Sequence, residues 1–160
     1  MKDNRIYIFG LTASGKTTLA KDISKIKGIK IYPTDEMVYK KKWDLKYSEK
    51  TRNKKLRDVH KKSKWIIEGV HHDWAKSAIK KADIVILLNP SKITMLKRAF
   101  KRSKENAKKG KRDKLKHKVK LVYGIFRWTT KGYKDYKKQT KKFIELKNKK
   151  DIESFLKALK

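Results

Sequence analysis

Two observations predict an α/β domain with a mainly parallel central sheet. Apolar strand-like runs alternate with helix-period patterns along the whole chain, and the first run leads into a glycine-containing loop that opens the first helix. That loop reads Gly10-Leu11-Thr12-Ala13-Ser14-Gly15-Lys16-Thr17, the spacing of a phosphate-binding loop. In such a turn, glycines let successive N–H groups point inward, and the following helix adds its free amino-terminal amides and positive dipole end. The segment therefore marks a nucleotide site. Gly10, Thr12, Ala13, Ser14 and Gly15 form the cradle, Lys16 is expected to bridge the β- and γ-phosphates, Thr17 to place its hydroxyl on Mg²⁺, and Thr18 to touch the α-phosphate.

The other elements follow in order. A first strand covers 5–9, and after the loop Leu19, Ala20, Ile23 and Ile26 mark the buried stripe of a helix that stops near Gly28. A short strand over 29–32 ends at Pro33. A polar and aromatic stretch, 34–47, precedes a charged helix over 48–63 with Leu56 and Val59 inward. Strands over 65–69 and 84–88 are continuous apolar runs, as in a sheet covered on both faces, with a short helix over 74–81 between them. Ser91 is placed to cap a helix whose Ile93, Leu96 and Phe100 share a face before it dissolves into a basic segment, 101–114. A long helix is expected from about 113 toward Tyr133 or Tyr136, then a last strand over 143–146 and a closing helix over 151–159. No internal repeat or linker interrupts the chain, and Gly110 and Gly132 read as joints, so residues 1–160 form one domain.

Composition limits the function classes. No stretch approaches the roughly 20 apolar residues of a membrane span, and the start lacks the apolar core of a signal peptide. With no cysteine there are no disulfides or thiolate metal sites, so a cytoplasmic protein without a membrane partner is expected. The net charge of +32 would attract any polyanion, yet only seven of the 48 basic residues are arginine. Lysine scattered through every segment is what compositional drift also produces. Where arginine persists, its bidentate fork is the more informative residue. Residues 97–120 hold 13 basic residues against two acids, a cluster dense enough to keep nucleic acid as a candidate partner.

With these landmarks the chain resembles a small P-loop kinase of the adenylate kinase and shikimate kinase superfamily. It looks closest to the group known as DNA topology modulation proteins, or adenylate-kinase-like ATPases. The resemblance rests on the phosphate loop, Thr34-Asp35-Glu36 with Trp43 downstream, Trp65-Ile66-Ile67-Glu68-Gly69, the strand after Ala82-Asp83, the basic lid and the closing strand and helix. It implies a three-layer fold with a five-stranded parallel sheet, an acceptor-binding segment at about 34–63, a helical lid at about 98–114, and transfer of the γ-phosphoryl group of ATP with Mg²⁺.

The same resemblance assigns roles. Asp35 would bind the acceptor and take its hydroxyl proton, although an Asp here also reads as a helix cap. Glu68, at the end of a buried strand, would reach Mg²⁺ through water beside Thr17. Arg98 and Arg102, four apart on one helical face, and Arg112 would clamp phosphates, unless that face is simply solvated. Nucleoside monophosphate kinases carry an arginine shortly after the acid, whereas this chain has Val70-His71-His72-Asp73-Trp74, which puts a monophosphate acceptor in doubt. His71 and His72 are free to hydrogen-bond an acceptor or to face solvent, and adjacent histidines make a poor metal site. Tyr39, Trp43 and Tyr47 suit either ring stacking or packing, as do Trp128, Tyr133 and Tyr136. The first reading is ATP-dependent phosphoryl transfer to a nucleoside, nucleotide or other hydroxyl compound. The alternative is a nucleic-acid-binding ATPase or polynucleotide kinase; acceptor, base and oligomeric state stay open.

Overall fold

The computed structural model describes residues 3–40, 45–71, 74–108, 115–127 and 134–159. Five strands, β1 (Arg5–Gly10), β2 (Ile31–Pro33), β3 (Trp65–Gly69), β4 (Ile84–Leu88) and β5 (Phe143–Leu146), form one sheet in the order β2-β3-β1-β4-β5, with every pairing parallel. The helices are α1 (Lys16–Lys27), α2 (Thr34–Val38), α3 (Glu49–His60), α4 (Lys76–Lys81), α5 (Lys92–Lys108), α6 (Leu115–Arg127), α7 (Lys134–Gln139) and α8 (Lys149–Lys157).

The central strands β3, β1 and β4 are largely apolar because both faces are covered, and side-chain alternation sorts the sheet into two cores. Tyr7, Phe9, Trp65, Ile67, Val85 and Leu87 pack on one side with Leu56, Val59, Ile79 and Tyr136 from α3, α4 and α7. Ile6, Ile8, Ile66, Ile84, Ile86 and Leu88 pack on the other with Leu19, Ala20 and Ile23 of α1 and with Ile152 and Phe155 of α8. The result is three layers with β1 in the centre. At its lower edge Arg5 Nη2 donates to Asp83 Oδ1 at 2.7 Å, tying the starts of β1 and β4.

Several boundaries differ from the sequence reading. The stretch after Pro33 contains α2, a helix of five residues, too short to show a period. The strand before it begins at Ile31, not at 29. α3 ends at His60 rather than 63, and α5 stays helical through Lys108 instead of dissolving at 101. Of the long late helix expected from about 113, the described residues show α6 and α7, and residues 128–133 lie outside them. Caps were better legible: Gly28 ends α1 with a left-handed φ of 63°, and Ser91 Oγ accepts from the Thr94 N–H at 3.2 Å. Gly110 and Gly132 lie outside the described residues. No described helix is long and apolar enough to cross a membrane.

Candidate active site

The strand order puts β1 between β3 and β4, so the connections leave β1 and β3 at one carboxyl edge, where open α/β sheets collect ligands. Gly10, Ala13 and Gly15 take positive φ values of 147°, 65° and 106°, curling the loop over the start of α1. Ser14 N donates to Leu11 O at 3.1 Å, which closes the turn. The N-cap of α1 is Gly15, whose lack of a side chain leaves the first-turn amides without a side-chain acceptor, and no acid stands in that turn. An anion is the natural partner for that helix end.

Lys16 is buried at the base of this loop, and its Nζ donates to Leu11 O at 2.9 Å. Burial pulls the ammonium down to about 8, against the attraction of Glu68 and Asp35, while Arg102 pushes the same way as burial. Thr17 Oγ1 donates to Glu68 Oε1 at 3.1 Å. Glu68 is buried at the end of β3, and desolvation raises its carboxyl above the usual range, opposed by Lys16 and the Thr17 hydroxyl. Asp35 and Glu36 push it up as well, so three acids share this edge of a strongly basic chain.

Asp35 stands inside α2, whose N-cap is Pro33, so the capping role expected for it is not the one it fills. Its Oδ1 lies 3.4 Å from His71 Nε2, and the His71 ring packs 5.8 Å from that of Tyr39. His71 is therefore held against Asp35 rather than turned to solvent. The signal was weak in the sequence, since only the pairing of β2 with β3 brings the two together. The helix carrying Asp35 is set down on Gly69, whose φ is 155°: a Cβ there would run into Thr34 Oγ1. Trp74 Nε1 donates to Asn53 Oδ1 at 2.9 Å, bracing α3 behind the site.

Arg98 reaches from α5 to the loop, its Nη1 donating to Ser14 O at 2.7 Å. Arg102 acts on Lys16 electrostatically from one turn further along. The two arginines are thus gathered with the loop. Arg112, Trp43, His72, Trp128 and Tyr133 lie outside the described residues. Tyr47 sits under Lys55 Nζ at 3.7 Å, and Tyr136 is buried in the core, so both pack within the protein. Thr12 and Thr18 keep their places in the loop and the first turn of α1.

This combination, a phosphate loop on the central strand of a 2-3-1-4-5 parallel sheet with arginines leaning in from α5, defines a nucleotide-binding fold of the P-loop kinase type. The chain belongs to the AAA domain family, whose model matches residues 6–118. Among solved structures it is similar to shikimate kinase from Acinetobacter baumannii in complex with shikimate, at 14% identity and a TM-score of 0.62, covering 99% of this chain and 92% of that one. It is also similar to deoxyadenosine kinase from M. mycoides with bound dATP, at 20% identity, a TM-score of 0.57 and 98% of both chains. A gluconokinase from Sinorhizobium meliloti aligns at 11% identity with a TM-score of 0.56, over 98% of this chain and 93% of that one. No curated protein matches.

Proposed function

We propose that this protein transfers the γ-phosphoryl group of ATP to a hydroxyl of a small acceptor held at Asp35, and that Thr17 and, through water, Glu68 would hold Mg²⁺. The observation that carries the reading is the convergence of Lys16, Thr17, Glu68 and Asp35 beside one phosphate loop. The solved neighbours are named as kinases of shikimate, gluconate and deoxyadenosine, all hydroxyl-bearing small molecules.

The loop amides and the open end of α1 suit a triphosphate, and Lys16, Arg98 and Arg102 supply fixed positive charge for its oxygens. Among the described residues no three His, Asp or Glu side chains are arranged to hold a metal ion by themselves, so a magnesium ion would rely on the Thr17 hydroxyl, Glu68 and the phosphates, as this hard cation often does. Bound there, Mg²⁺ would neutralise phosphate charge. Asp35 receives the proton released as the acceptor oxygen bonds to phosphorus and the bond to the leaving diphosphate breaks. His71 Nε2 stands 3.4 Å from that carboxylate. We place the acceptor over 34–63 and a closing lid over 98–114, which keeps water from the transfer.

Two finer readings go with this one. The order of Thr34-Asp35-Glu36 and the Trp65–Gly69 strand favours the DNA topology modulation group within the superfamily, and the absence of cysteine suits the cytoplasm. A polynucleotide as the acceptor itself has the net charge in its favour, but the acceptor edge, with Asp35, Glu36 and Glu68, is acidic.

The test is ATP consumption across nucleosides, nucleotides, sugar acids, shikimate-like alcohols and short oligonucleotides. One small hydroxyl compound should accelerate turnover, and Asp35→Asn should abolish that acceleration while ATP binding survives. Turnover that no acceptor changes would leave a bare ATPase.

A further inference from the structure

The outer face of α5 and α6 carries apolar side chains that phosphoryl transfer does not use. Ile93 (66%), Phe100 (61%), Val119 (61%), Tyr123 (58%) and Phe126 (59%) are strongly exposed. Ile93 and Phe100 are seven residues apart on α5, as are Val119 and Phe126 on α6, so each pair spans about 10 Å along one face of its helix. Lys92 Nζ donates to Phe126 O at 2.7 Å, which sets the end of α6 beside the start of α5. Phe100 lies about 160° around α5 from Arg98 and Arg102. The Phe100 side of α5 therefore looks away from the phosphate loop that Arg98 touches.

Beside Phe100 lies an open space of about 600 Å³ bordered by Phe100, Lys101, Ser103, Lys104 and Ala107, all of α5. Lys97, Lys101, Lys104 and Lys108 form a row about 40–100° around the helix from Phe100. The two helices together hold eleven lysines and arginines against one acid, Glu105. A second copy of the chain is a poor occupant, because each copy carries +32. Exposed flat rings beside a lysine row match the way single strands are held, bases on rings and phosphates on cations.

We propose that this face binds a single-stranded polynucleotide, with Phe100 and Phe126 stacking on bases and the lysine row of α5 following the phosphates. The site is separate from the ATP site and independent of the phosphoryl acceptor. Fluorescence anisotropy of a labelled twelve-nucleotide oligothymidylate, titrated with the full chain at 50 to 200 mM salt, reads it. Phe100→Ser and Phe126→Ser keep every cation and alter only exposed positions; each should weaken binding about tenfold, with circular dichroism unchanged. Lys101→Ala with Lys104→Ala should lower the salt slope by about 1.4, and excess magnesium ATP should not displace the strand. Equal affinity in both phenylalanine variants would reduce the binding to indiscriminate charge attraction and overturn the proposal. So would displacement by ATP, which would put the strand in the phosphate loop. Absence of oligonucleotide binding, with phenylalanine-dependent sedimentation on phosphatidylglycerol vesicles, would give the face to lipid instead.

Discussion

Thr17 Oγ1 donates to Glu68 Oε1 at 3.1 Å, joining the first turn of α1 to the end of β3 across 51 residues of sequence. The bond orients a hydroxyl that a cation would use, and it partly compensates a carboxylate that burial disfavours. Glu68→Gln keeps the size and removes the charge. It should raise the magnesium concentration for half-maximal ATP turnover about 10- to 100-fold. A magnesium titration of turnover in the two proteins measures this, and an unchanged requirement would remove Glu68 from the metal side of the site.

Lys16 links burial to pH. Its ammonium titrates at about 8 because burial disfavours the charge, and only the charged form attracts phosphate. Affinity for ATP should therefore fall as pH rises from 7 to 9. Bound phosphates favour the charged form, so binding at pH 8 should take up protons. Calorimetry in two buffers of unlike ionisation heat reads the uptake; proton release would contradict the assignment. Lys16→Ala should lose both the pH dependence and about 100-fold or more in turnover.

Much of this arrangement was legible in the sequence because it is local. The phosphate loop, its strand and its helix are contiguous, and β3 as far as Glu68 and the whole of β4 are apolar runs suited only to burial. Glu68 stood out as a charge at the end of such a run. α2 was not legible: Thr34–Val38 is shorter than two turns, and its place depends on Thr34 settling over Gly69 from another strand. The approach of His71 to Asp35 likewise follows from strand order, which no single segment encodes. Helical spacing revealed that Ile93 shares a face with Phe100, but spacing does not say whether a face is covered, and both are exposed.

His60 makes stability depend on acid. Burial, with Lys81 adding to it, brings the imidazole down from 6.5 to about 4, with its ring 6.0 Å from that of Trp65. Between pH 6.5 and 4 the unfolded chain binds a proton at this position that the folded chain refuses, so stability falls as pH drops through that window. His60→Leu should flatten that part of the profile. Urea unfolding at pH 7 and pH 4.5 compares the two: an equal loss in wild type and variant would place the acid sensitivity elsewhere.

Gly69 ends β3 at φ 155°, against Thr34, the first residue of α2. A methyl group there would meet Thr34 Oγ1, and the backbone conformation itself is one that L side chains rarely adopt. Gly69→Ala should therefore cost about 2–4 kcal/mol of stability. The strain has one outlet, a shift of α2, and α2 carries Asp35. Acceptor-stimulated turnover should then fall more than ATP affinity, since the phosphate loop is built on β1 and α1. Thr34→Ala in the same chain removes Oγ1 and should recover part of the stability, while Thr34→Ala alone should cost less than Gly69→Ala. Denaturant midpoints of the three variants decide the point: purely additive losses would mean that Thr34 and Gly69 do not press on one another.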